Sequence, residues 1–394
     1  MARGSAFSLR AAGWLAAALL AAALSGCGRA PEAVQVRFIA EGKPAKLSDW
    51  GVLRIADGKL RLNEGVEPYE LNTPLFTDYA HKLRTIWMPK GTSARYDERE
   101  TFDFPVGTVI SKTFYYPKGE GGTLRQTYDQ GSGLAAGALD LARVRLVETR
   151  LLVRREDGWI ALPYVWNDKQ TEAELMRTGE QMPLQLVADD GKRQGFTYVV
   201  PNENQCASCH VTQLKTKAFQ PIGPKARHLN LQARYGERSE NQLEHLQRVG
   251  YLSGLPAGAM ADSLPRAANW QDTQQPLEAR ARAYLDINCA HCHSAKGSAN
   301  NTALNLEPFL PPSHKLGLCK PTVAAGKGTG DRLFGIVPGQ PDASIMPFRM
   351  ASTEGGVMMP ELGRSTVHAE GVALIRDWIA AMSGSCNTSG ASTQ

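Results

Sequence analysis

No dense run of lysine or arginine occurs in the chain, and a formal charge of +5 is small for 394 residues. Composition therefore gives no basis for nucleic-acid binding. No apolar run reaches the roughly twenty residues that a membrane-spanning helix needs; AAGWLAAALLAAAL, over residues 11–24, is fourteen long. Hydrolase and nucleotide signatures are missing as well. GSG at 131–133 is not a nucleophile elbow, and GKGTGD at 326–331 lacks the spacing of a phosphate loop. Charged residues make up only 21% against 42% hydrophobic, the balance of a folded globular protein. Apart from one doubled cysteine motif there is no internal repeat.

The apolar run has the length of a signal-peptide core, flanked by Arg3 and Arg10. Leu24-Ser25-Gly26-Cys27 follows and resembles the bacterial lipobox, in which the cysteine is acylated and becomes the new N-terminus. That reading makes residues 1–26 a lipoprotein signal peptide and 27–46 a linker from an acylated Cys27. Several acyl chains anchor firmly, at about 0.8 kcal/mol per buried methylene. The expected location is the periplasm, lipid-anchored, with Gly28 after the cysteine favouring the outer membrane over the inner. The remaining chain exceeds one ordinary core, so two domains are expected.

Residues 47–200 read as β-rich. Asp57-Gly58, Asp157-Gly158 and Asp190-Gly191 lie between alternating apolar runs, a hairpin signal. FDFPVGTVISKTFYY adds β-branched and aromatic residues, and TEAELMRTG, at 171–179, reads as one intervening helix. A sandwich or barrel-like domain is expected there. Trp87, Tyr115, Tyr116, Trp159 and Trp166 are read as core in preference to a sugar-binding surface. Residues 201–386 read as an all-α domain with long loops. Its helices are expected at 239–252 (Ser239 cap; Leu243, Leu246 and Val249 on one face), 276–288 and 368–382. A polar tail, 387–394, follows. The fold class expected is thus α+β multidomain: a β-rich domain, then an all-α domain.

The chain has seven cysteines. Cys27 takes lipid, and Cys319 and Cys386 are a possible disulfide in an oxidising compartment. The other four form two CxxCH motifs: Cys206, Cys209 and His210, then Cys289, Cys292 and His293. Cysteines at i and i+3 share one face of a helical turn, so both thiols can add to the vinyl groups of one porphyrin. The following imidazole then binds the iron from below. Zinc ribbons place their two knuckles about 15–20 residues apart, whereas Cys209 and Cys289 are 80 apart, and zinc needs no histidine after each pair. A thioredoxin-like dithiol needs a βαβ setting, and neither motif has one. His291 reads as a filler position. Two covalent haem c groups are expected, with His210 and His293 as proximal iron ligands.

For the second haem, Met359 before Pro360 is the expected distal ligand and Met358 the neighbouring alternative. CxxCH, loops, Met-Pro and a terminal helix in that order resemble a class I cytochrome c pattern. For the first haem, His228, Met260, another ligand or an open site all stay open.

With these residues in place, the chain resembles a family of bacterial dihaem c-type cytochromes, lipoprotein type, largely uncharacterised in function. The resemblance covers about residues 71–382. It rests on LNTPLFTDYAHKLRTIWMPKGTSARY, FDFPVGTVISKTFYYP, NQCASCH with QPIGPKARHLN, RARAYLDINCAHCHS and GGVMMPELGRSTVHAEGVALIRDWI. It implies electron transfer between a redox protein partner and the respiratory chain, with Cys206, Cys209 and His210 serving one haem and Cys289, Cys292 and His293 the other. A Gln-like residue is more familiar in that family at position 228, which weighs against His228. No small-molecule substrate is implied, and the chain reads as an electron carrier and not as a catalyst on its own. Two alternatives are a dihaem peroxidase-like enzyme and the electron-accepting subunit of a secreted sugar or alcohol dehydrogenase.

Overall fold

In the computed structural model, Asp57 and Gly58 both take positive φ, 50° and 68°, the conformation of a tight hairpin turn. They join strand β1 (Leu53–Ala56) to β2 (Lys59–Leu62). The structure describes residues 1, 35–128, 138–213, 215–323 and 326–387. The apolar run at 11–24, the lipobox with Cys27, and most of the polar tail lie outside them. From Gln35 onward the described residues form one compact unit.

The remaining strands, in chain order, are β3 (Glu67–Tyr69), β4 (His81–Trp87), β5 (Ala94–Arg95), β6 (Val109–Pro117), β7 (Leu124–Arg125), β8 (Ala138–Asp140), β9 (Val144–Arg155) and β10 (Gly158–Trp166). They continue as β11 (Ala173–Leu175), β12 (Glu180–Val187), β13 (Arg193–Val200), β14 (Gln232–Tyr235), β15 (Arg238–Asn241) and β16 (Leu252–Ser253). The largest sheet runs β11-β10-β9-β6-β4-β3, antiparallel throughout.

Strand periodicity gives that sheet two unlike faces. One carries Leu83, Val109, Leu151, Val153 and Leu162 into a core shared with Leu53, Leu60 and Leu139 of the small sheet β1-β2-β8. Tyr115 and Trp166 belong to this core, and Tyr116 is fully buried in another. The opposite face carries Arg84, Ile110, Lys112, Arg150 and Leu152 and forms one wall of a cavity. The functional site is built against this second face.

The expected all-α, cytochrome c-like second half is overturned: the described residues are β-rich, with only short helices. Beyond residue 200, β14 and β15 form a hairpin, and β16 pairs in parallel with β5 of the first half. Among the described residues no helix is longer than Ala369–Ala380, with 12 residues. The physical reason is local. Leu243, Leu246 and Val249 span barely two turns, too few to specify a long helix, and Gly236 at φ 62° folds the preceding chain back as a hairpin. The helix there is Gln242–Arg248, capped by Asn241 and not by Ser239. The helix expected at 171–179 is instead strand β11 between turns at Gln170 and Gly179. A side chain at Gly179 would sit 2.6 Å from the Val200 carbonyl.

One core cluster crosses position 200, joining Tyr69, Ile86 and Phe104 to Leu229, Leu243 and Leu246. Another packs Leu277–Leu285 against Ala369–Ala380 through Ala281, Tyr284, Leu285, Leu374, Ile375 and Trp378. Cys319 and Cys386 are joined in a disulfide. Among the described residues no helix is long and apolar enough to cross a membrane.

Candidate functional site

The first motif lies on the helix Glu203–His210, which starts from a capping box: Gln205 N–H donates to the Asn202 side chain at 2.8 Å, and the Gln205 side chain accepts from Asn202 N–H at 3.0 Å. Cys206 and Cys209 therefore share a face one turn apart. His210 ends the helix. Its Nδ1 pairs with the Gln220 carbonyl at 2.8 Å, and its ring stacks on Phe219. Such a bond fixes the tautomer and leaves Nε2 as the free electron-pair donor. Burial pushes the imidazole down to about 3, so it is neutral, the form that binds metal.

The second motif begins where Leu277–Leu285 widens into a π-helical turn, Asp286–Ala290, a distortion common at functional sites. Cys292 and His293 N–H both return to the Cys289 carbonyl, at 3.1 and 2.9 Å, so this motif also forms a helical turn. His293 Nδ1 faces Thr302 Oγ1 at 3.4 Å, again leaving Nε2 free, and burial lowers its basicity. Gly297 closes the following loop; a Cβ there would lie 2.2 Å from the Cys292 carbonyl oxygen. Asp286 anchors the turn. It receives Arg227 Nε and Nη2 at 2.7 and 2.9 Å and pairs with His228 Nε2 at 2.8 Å.

Each motif opens onto a space. The first borders an open-sided cavity lined by Cys206, Cys209 and His210. The second borders one lined by Cys289, Cys292 and His293. Met359 lines both cavities, whereas Met358 lines neither. Met260 is 70% exposed and lines neither. His228 lines the first cavity, with its Nε2 committed to Asp286.

The structure also groups residues that sequence reading kept apart. The ligand atoms of Cys209, His291 and Cys292 all lie within 4.8 Å of one another. Cys292 further approaches the Ser208 carbonyl at 3.6 Å. Hydrogen bonding between the two thiols holds Cys209 up and Cys292 down, while burial raises Cys206 and carries Cys289 to about 12. His291, read as filler, has a buried Nδ1 without a partner; its position between the paired cysteines of CAHCH was the available signal. His368 was also missed. It lines the first cavity, with Nδ1 on the Tyr284 hydroxyl at 2.8 Å and Nε2 on that of Tyr128 at 2.6 Å.

The donor set fits two thioether-linked macrocycles. Each site offers two thiols one helical turn apart, an oriented neutral imidazole, and a cavity beside them. Compared with protein-family models, curated proteins and solved structures, the chain matches none.

Proposed function

We propose that the protein is a lipid-anchored, periplasmic dihaem c-type electron carrier. The observation that carries this reading is the repeated construction of the two motifs. In both, the cysteines of a CxxCH turn adjoin a cavity, and the histidine has Nδ1 engaged and Nε2 free. Cys206 and Cys209 would hold one haem and Cys289 and Cys292 the other, with His210 and His293 as iron ligands. Bound haem supplies a one-electron couple whose potential follows its ligands and surroundings. Met359, which lines both cavities, would supply the second haem with a further iron ligand.

The protein's own part is to fix the ligands. The Gln220 carbonyl and Thr302 hydroxyl orient the two imidazoles. Asp286, held by Arg227 and His228, fixes the turn that presents Cys289. The Cys209 and Cys292 sulfurs, within 4.8 Å, bring the two attachment edges together, which suits transfer of an electron within one chain before it leaves to a redox protein partner. Cys27 is the anchoring residue of this reading.

One specific observation favours a second reading. Cys209, His291 and Cys292 form a thiolate–imidazole set suited to a soft metal such as zinc. The two readings exclude each other, because thioether formation consumes both thiols. An optical spectrum of protein made with haem-attachment machinery separates them. Low-spin c-type bands, with a Met-to-iron charge-transfer band lost in Met359→Ala, are expected. A colourless protein carrying zinc would sink the haem reading.

A further inference from the structure

Strand register draws three basic side chains into one line. Arg84 of β4 is the cross-strand partner of Lys112 of β6, and Lys112 that of Arg150 of β9. The partners face the same side of the sheet, and all three line the first cavity. Like charges directly opposite one another across strands destabilise a sheet. A row of three in the central strands therefore calls for compensating negative charge.

Only part of that charge is supplied by the protein. Arg150 is paired bidentately with Glu148, at 2.8 and 2.5 Å. Lys82, in the next row, donates to the carbonyls of Leu75 and Ala80 at 3.0 and 2.8 Å. Arg84 is 5% exposed, and among the described residues its side chain has only a 3.5 Å contact, with the Lys82 carbonyl. Glu70 acts on it electrostatically without forming an ion pair. Lys112 has no hydrogen bond or ion pair with a described residue, and its ammonium lies 5.3 Å from the Phe114 ring centroid. A buried guanidinium without an anion is costly, and here it stands in a cavity wall.

The row also has a direction. Its Arg150 and Lys112 end is within electrostatic reach of Cys206 and Cys209, whereas Arg84 lies one strand, about 4.8 Å, further on. A porphyrin bonded through its vinyl carbons carries its two propionate carboxylates on the opposite edge. We propose that Arg84 and Lys112 form an anion subsite in the first cavity that receives the propionates of the haem attached at Cys206 and Cys209. This rests on the haem reading above and adds the residues that set the potential of one haem. A cation beside the propionates favours the reduced form, so its removal lowers the potential.

The test uses the full-length, haem-loaded protein, with haem content measured before any potential. Arg84→Gln combined with Lys112→Met is expected to keep two haems and to move one of the two couples negative. The expected size is a tenfold or greater change in the reduced-to-oxidised ratio, about 59 mV for one electron, with the other couple unmoved. Resonance Raman should show altered propionate modes for one haem. Arg84→Lys keeps the charge and should hold the wild-type potential, which guards against a folding defect in the Gln variant. Unchanged potentials and propionate modes in the double variant, or an Arg84→Lys shift as large as that of Arg84→Gln, overturn the proposal. Wild-type protein with fewer than two haems overturns the haem reading itself, and the haem count shows which has failed.

Discussion

Replacing Asp286 by alanine tests how the second motif is held. The Asp286 and Arg227 side chains are 3% and 5% exposed, and the carboxylate takes both Arg227 nitrogens and His228 Nε2. Its removal strands a buried guanidinium, a change that costs about 3–5 kcal/mol. Against a total stability of about 5–15 kcal/mol, this is a large fraction of the whole. Asp286→Asn keeps the shape and one acceptor and should cost less, about 1–3 kcal/mol. Burial works against the carboxylate, but His228 and Arg227 outweigh it and hold Asp286 well below the usual range. A carboxylate depressed in the folded state stabilises above its unfolded value, near 3.9, and loses that contribution as the pH falls through its folded value. The gap between wild type and Asp286→Asn should therefore be full at pH 7 and shrink in acid below about pH 4. Denaturant unfolding followed by circular dichroism measures both. A loss under about 1 kcal/mol for Asp286→Ala at pH 7 would refute the anchoring role.

Other outcomes follow from single interactions. Cys319→Ser should cost about 4 kcal/mol, the loop-closure value for a sequence separation of 67, read as a lowered denaturant midpoint relative to the oxidised wild type. Asn202→Ala removes the cap of the first-motif helix and should cost about 0.5–2 kcal/mol, whereas Asn202→Asp should cost much less. Burial disfavours a charged His245, but its hydrogen bonds to the Glu67 and Glu240 carboxylates outweigh that and raise its pKa. Its contribution should be full below about pH 6.5 and fall as the pH rises through the folded value, so the stability gap to His245→Gln should be wider at pH 6 than at pH 9.

What sequence reading reached was whatever local chemistry decides. Asp57-Gly58 marks its hairpin because few dipeptides tolerate two consecutive positive-φ residues. The segments 276–288 and 368–382 carry enough apolar period to be recognised, and they form Leu277–Leu285 and Ala369–Ala380. TEAELMRTG failed because its composition favours helix while neighbouring β10 offers Ala173–Leu175 a partner. Tertiary pairing overrode propensity. The expected all-α half failed for a related reason: helices of two or three turns take their stability from packing, and here part of that packing comes from the sheet.

The candidate site divides in the same way. The CxxCH spacings are visible because their chemistry is local. The row Arg84, Lys112, Arg150 is not, because it depends on the register of three strands, and register leaves no trace in the spacing of basic residues. The meeting of Cys209 with Cys292 and His291 likewise depends on how two distant turns are folded together. Met359, marked in sequence by the Pro360 that follows it, lines both cavities, whereas Met260 is exposed.

The most direct test of the central claim is the intact mass of the denatured chain, made with haem-attachment machinery, beside Cys206→Ala/Cys209→Ala and Cys289→Ala/Cys292→Ala variants. The account predicts two haem additions on the wild type and one on each double variant, each surviving acid–acetone extraction. A wild-type mass with no haem addition, or haem that extraction removes, would contradict it.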